Sequence, residues 1–132
     1  MTVLDTSGAV DLLLGTGAAE AVGDLIRSEG AVAAPDVLTF EVLAVLRRAV
    51  HRGALDERRA TGAVEDYGDL ALTLFPAMPL RGRAWELRES LTAADALFVA
   101  LGERLDERLA TKDRGLARAA EQLGLRTVHL PD

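Results

Sequence analysis

Four carboxylates in this 132-residue chain stand where their type and surroundings could do chemistry: Asp5, Glu41, Asp95 and Asp113. Asp5 ends the short strand-like run Val3-Leu4, and Asp113 follows Leu109-Ala-Thr-Lys; each also precedes a stretch of helical pattern. Open α/β sheets place their ligand sites at the carboxyl ends of strands, yet an aspartate there serves equally well as a helix cap. Glu41 and Asp95 are harder to place as ordinary surface residues. Glu41 lies in Leu38-Thr-Phe-Glu-Val-Leu-Ala-Val-Leu46 and Asp95 in Ala93-Ala-Asp-Ala-Leu-Phe-Val-Ala-Leu101, both nearly unbroken apolar runs. Desolvating an unpartnered ionised carboxylate is expensive. Each therefore either sits on the solvent edge of an amphipathic helix or points into a polar pocket, and each falls near the expected start of its helix.

Four carboxylates converging at one sheet edge make a hard, all-oxygen site, which selects Mg²⁺ or Mn²⁺ over zinc or copper. Such sites hydrolyse phosphodiesters by polarising the phosphoryl oxygen and acidifying a bound water. No histidine base or serine nucleophile is then required, and no convincing Ser-His pair is present. His51 and His129 are the only histidines and share no metal-ligand spacing, so both read as surface residues.

The elements that must position these acids alternate short apolar runs with longer helical ones. That pattern predicts an α/β, three-layer fold, a mostly parallel sheet flanked by helices, with right-handed crossovers. Strands are expected at Val3-Leu4, Ala31–Ala33 (closed by Pro35), Leu72–Phe75, Leu109–Thr111 and Arg126–Leu130. Helices are expected from Thr6 or Ser7 to Leu14, Ala18 to Arg27, Asp36 (as cap) to about Val50, Asp56 to Leu70, Arg81 to Glu89, Ala93 to Leu105 and Arg114 to Leu123. Thr92 is placed to cap the sixth of these, and Gly53 and Gly124 to stop the third and last.

Composition agrees. The chain is of single-domain length, residues 1–132, and its 49% hydrophobic and 27% charged residues are those of a soluble globular protein. No apolar run reaches membrane-spanning length, and Met-Thr-Val-Leu-Asp lacks the basic start of a signal peptide. The absence of cysteine excludes disulfides and thiolate metal sites and fits a cytoplasmic location. A net charge of −6 argues against a nucleic-acid partner, but the four acids would account for four of those charges, and bound divalent ions would invert the local field.

Val3-Leu-Asp-Thr-Ser7, Phe40-Glu41, Leu91-Thr-Ala-Ala-Asp-Ala-Leu-Phe-Val-Ala-Leu101 and Leu109-Ala-Thr-Lys-Asp-Arg114 resemble, in order and spacing, the signature segments of PIN-domain nucleases. The likeness covers essentially the whole chain and extends to the toxin half of VapBC toxin–antitoxin modules. The resemblance implies Mg²⁺-dependent cleavage of RNA, with Mn²⁺ as substitute, inhibition by a small antitoxin protein, and a homodimer. It makes Asp5 and Asp95 principal metal ligands, with Glu41 and Asp113 completing the cluster. Thr6, Ser7 and Thr111 match positions that orient ligands or water. Ala94 departs from the pattern, since many relatives carry an aromatic residue there.

Fourteen arginines against one lysine, Lys112, suit phosphate contacts, although genomic base composition gives the same bias. On the third helix Arg48 and Arg52 share a stripe with Glu41, about 10 and 16 Å further along the axis. They are candidate RNA contacts, or a solvated face. Trp85 reads as core or interface. Two rivals remain. A haloacid-dehalogenase-type phosphatase needs an acid at position 7, which is serine. A non-enzymatic receiver-like signalling or binding domain also clusters acids, but wants an acidic neighbour after the first strand and an aspartate after a middle one. Leu74-Phe75-Pro76 offers none.

Overall fold

The structure, a computed structural model, describes all residues from 1 to 132. Five strands form one wholly parallel sheet: β1 (Val3–Leu4), β2 (Val32–Pro35), β3 (Leu72–Phe75), β4 (Leu109–Thr111) and β5 (Thr127–His129), in the order β3-β2-β1-β4-β5. Seven helices connect them: α1 (Thr6–Leu14), α2 (Ala19–Glu29), α3 (Val37–His51), α4 (Glu57–Tyr67), α5 (Arg81–Glu86), α6 (Ala93–Leu105) and α7 (Arg114–Gln122). The first two crossovers step one way from β1 and the later ones return past it. Right-handed crossovers therefore put α1 to α4 on one face and α5 to α7 on the other. The packing agrees, with α1 against α2, α3 and α4, and α6 lying across β1, β2 and β4. The expected three-layer α/β fold is thus what forms.

The core is built on small strand residues. Ala33, Ala34 and Ala110 are fully buried beside Val3, Leu4, Val32 and Leu109, which lets helices approach the sheet closely. From one face α3 contributes Leu38, Val42 and Leu46, spaced four residues apart on one stripe. From the other, α6 contributes Ala96 and the buried run Phe98–Gly102. Phe98, Leu38 and Leu101 are each at most 1% exposed, and burying one such side chain stabilises the fold by roughly 1.5–3 kcal/mol.

Several boundaries differ from expectation. β2 runs through Pro35, which pairs in register with Phe75, instead of being closed by it. The neighbouring Ala33 donates its N–H toward the β1 side, to Thr2, so the donor that Pro35 lacks faces a strand that has already turned into α1. Asp36 is the N-cap of α3 by position but makes no capping bond; its carboxylate accepts from the Ala77 N–H at 3.2 Å. α5 stops at Glu86 and follows a 3-10 turn, Met78–Leu80, because Leu80 and Leu87 turn inward. Trp85 is not in the core: it is 68% exposed, with the Arg88 guanidinium stacked 4.6 Å from its ring centroid. Both histidines are exposed, as expected. No helix is long and apolar enough to cross a membrane.

Candidate active site

The strand order reverses between β1 and β4, and a crevice opens there beyond the carboxyl ends of the strands. It is an open cleft of about 400 Å³ whose walls include Asp5, Glu41, Asp95 and Asp113. The four acids come from four different elements, so only the fold brings them together. Asp5 leaves β1, Asp113 leaves β4, and Glu41 and Asp95 lie in the opening turns of α3 and α6.

Asp5 is the most tightly held. It is 8% exposed, and its two oxygens are engaged separately: Oδ1 accepts from the Thr6 N–H and Oδ2 from the Thr111 hydroxyl, each at 2.8 Å. It is thus both the helix cap and a wall of the cleft, so Asp5, not Thr6 or Ser7, caps α1. Thr111 is fully buried and also accepts the Asp113 N–H at 3.0 Å, tying the two strand-end acids together through one hydroxyl. Asp113 in turn caps α7, accepting from the Leu116 N–H at 3.0 Å. Thr6 donates its hydroxyl to Glu41 Oε1 at 2.6 Å. Asp95 is half-buried, and the Thr92 hydroxyl accepts its N–H at 3.2 Å.

These surroundings shift proton affinities. Burial holds the Asp5 carboxyl above the usual carboxylate range, outweighing the hydrogen bonds from Thr111 and Thr6, with Glu41 and Asp113 adding like charge. Asp95 is raised too, by burial first and then by the charges of Asp5 and Asp113, which together outweigh the lowering influence of the Thr92 hydroxyl. Desolvation, more than the mutual repulsion that clustered acids imply, is the leading cause at both positions.

The donor set suits a hard divalent cation. It is all oxygen, and Ser7 Oγ, on the cleft wall, is a buried hydroxyl with no partner. No three carboxylates close round a single point as they stand.

The chain matches the family model described as the PIN domain over residues 2–122. The chain belongs to the PIN-domain family. Among curated proteins, this PIN domain is 38% identical to Ribonuclease VapC12 of Mycobacterium tuberculosis over 119 residues, 90% of this chain and 92% of that protein. It is similarly 38% identical to Ribonuclease VapC1 of the same organism over 118 residues, 89% of each chain, and 34% identical to Ribonuclease VapC3 over 117 residues.

Two residues of the cleft carry no signal in the sequence. Asp11 and Lys112 both line it and form an ion pair of 2.6 Å, 101 residues apart along the chain. Asp11 also accepts from the Thr16 hydroxyl and the Ala18 N–H. Gly17 makes the intervening turn at φ +47°, and a Cβ there would collide with the Asp11 carboxylate. Arg48 and Arg52, by contrast, are exposed, form no side-chain hydrogen bond or ion pair, and do not line the cleft.

Proposed function

We propose that this PIN domain is a metal-dependent ribonuclease, hydrolysing RNA phosphodiester bonds as the toxin component of a toxin–antitoxin pair in the cytoplasm. The observation that carries the reading is the meeting of Asp5, Glu41, Asp95 and Asp113 in one cleft at the switch point of the sheet. It is supported by likeness to relatives whose names describe them as ribonucleases.

Asp5 and Asp95 are the principal ligands in this reading, and Glu41 and Asp113 complete the shell. When bound, Mg²⁺, or Mn²⁺ in its place, supplies Lewis-acid polarisation of the phosphoryl group and a water acidified enough to attack it. Thr111 and the Thr6 N–H hold Asp5 in one rotamer, so the deepest ligand needs no reorganisation. The Thr6 hydroxyl holds Glu41 toward the same cleft. Ser7 Oγ is free to orient a water beside Asp5. Arg48 and Arg52, about two and three turns beyond Glu41 along the α3 axis, are free to meet an approaching RNA backbone.

The partner in this reading is a small antitoxin whose arginine pairs with the acids and displaces the metal. An apolar groove of about 270 Å³ between α3 and α4, walled by Leu43, Leu46, Val50, Ala60 and Val64, suits the helical part of such a segment. Homodimerisation is part of the same proposal, and light scattering tests it. Co-expression with the neighbouring small reading frame is expected to yield a stable, inactive complex; failure to co-elute removes this partner.

The decisive experiment is cleavage of bulk RNA by the purified protein with Mg²⁺, with Mn²⁺ and with EDTA. Cleavage with either ion and none in EDTA is the expected result. Full activity in excess EDTA rejects the metal mechanism, and no cleavage under any condition rejects the enzyme.

A further inference from the structure

Beside the acid cleft lies a second one of about 410 Å³, between α7 and the end of β5, with polar and charged residues at most of its lining positions. The two meet at the turn from β4 to α7, where Thr111 touches Asp5 and Lys112 lines both. We propose that this second cleft binds the RNA backbone flanking the scissile bond, with Arg114 and Arg118 as its phosphate contacts. The proposal rests on the ribonuclease reading.

Three observations carry it. Arg114 and Arg118 sit one turn apart on α7, about 6 Å along the axis, and both line the cleft. Both are exposed and neither makes a side-chain hydrogen bond or an ion pair. Other unpaired arginines such as Arg48 and Arg52 do not line a cleft that adjoins the acids, and Arg83, Arg108 and Arg27 are each spent on a carboxylate. The facing acid Glu121 feels the Arg118 charge, but its hydrogen bonds go to the Thr127 hydroxyl at 2.6 Å and His129 Nε2 at 3.0 Å. Of the remaining lining, only Asp132 adds an acidic side chain, and the apolar residues Leu130 and Pro131 offer little to an apolar peptide. Free guanidiniums in a polar cleft that runs into a phosphodiester-cleaving site suit a polyanionic strand.

The test is fluorescence anisotropy of a labelled oligouridylate in EDTA, across a series of KCl concentrations, with the full-length protein. The double variant Arg114→Gln/Arg118→Gln is expected to bind roughly tenfold more weakly. Its salt dependence should be shallower by about 1.4 in log–log slope, two contacts at about 0.7 each on a single strand. The control Arg81→Gln/Arg88→Gln removes the same charge away from the cleft and should leave the slope near wild type. With Mg²⁺, the cleft variant should raise KM by about the same factor and keep kcat within about twofold, because these side chains do not touch the reacting bond. Affinity and slope indistinguishable from the control would overturn the subsite. So would normal RNA binding combined with loss of the antitoxin complex, which would make the cleft a protein-binding surface. Wild-type protein that binds the oligonucleotide but cleaves no RNA with either ion would count against the nuclease reading instead, and the anisotropy would still decide the cleft.

Discussion

The two ends of α1 each hold a carboxylate on the same cleft, and they are built for opposite purposes. At the amino end, Asp5 is buried, receives one hydrogen bond per oxygen, faces other acids and has its pKa raised. At the carboxyl end, under two turns away, Asp11 is met by the Lys112 ammonium, the Thr16 hydroxyl and the Ala18 N–H. Burial raises its pKa, but those donors outweigh it and the net shift is downward. Lining the same cavity therefore does not make two acids equivalent. Asp11 is neutralised from within the protein and holds the β4–α7 turn against α1. Asp5 and Asp95 are left with charge that only something from outside can neutralise.

The largest effect expected from breaking this pairing is on cleavage. Asp5→Asn should lower the rate of RNA hydrolysis on the order of 10²–10³-fold, equivalent to about 3–4 kcal/mol of barrier, with an unchanged circular dichroism spectrum. Asp11→Asn should stay within a few-fold of wild type in the same assay. Equal losses in both would erase the distinction between the two ends of the helix.

Stability should separate them in the other direction. Asp11→Asn removes a charge-assisted pair and should cost about 1–2 kcal/mol, lowering Tm by roughly 3–6 °C at neutral pH. Because the folded-state pKa of Asp11 is depressed, its contribution is present above the ordinary carboxylate pKa and lost as pH falls through the folded value. The deficit should therefore close in acid. Asp95 carries the opposite sign. Its raised pKa favours the folded state fully below the unfolded pKa, and that advantage is lost as pH rises through the folded value. At neutral pH in EDTA, Asp95→Asn should raise Tm by roughly 2–4 °C, a gain that shrinks toward acid pH, while Mg²⁺ should stabilise wild type more than the variant. Melting curves that coincide in EDTA and shift equally with Mg²⁺ would make Asp95 an ordinary surface residue. The smallest effects belong to Arg48 and Arg52, which lie outside the cleft. Each changed singly to Gln should raise KM by about two- to threefold at constant kcat, measured by steady-state cleavage.

The contrast also marks what the chain reveals unfolded. α6 was legible because Thr92 stands before an apolar run long enough to be only a buried helix, and Asp95 stood out as the one charge inside it. Glu41 was legible for the same reason. Asp5 and Asp113 were legible by position, and each both caps its helix and lines the cleft, so the two placements are not alternatives. The Asp11–Lys112 pair was not legible, because it joins segments 101 residues apart and neither residue interrupts an apolar pattern strongly. Strand order was equally hidden, since periodicity reports which residues face a core and not which strand lies beside which. The end of α5 and the reach of β2 through Pro35 depended on tertiary neighbours that local propensity does not contain.

The most direct test of the account is the binding of Mn²⁺, followed by calorimetry, to wild type, Asp5→Asn and Asp11→Asn. Asp5 is read as a deep ligand of an outside cation and Asp11 as already paired with an inside one. Wild type and Asp11→Asn should therefore bind the ion with affinities within a few-fold of each other, and Asp5→Asn should bind it at least about tenfold more weakly. Equal binding by all three proteins, or loss on removing Asp11 but not Asp5, would contradict the account.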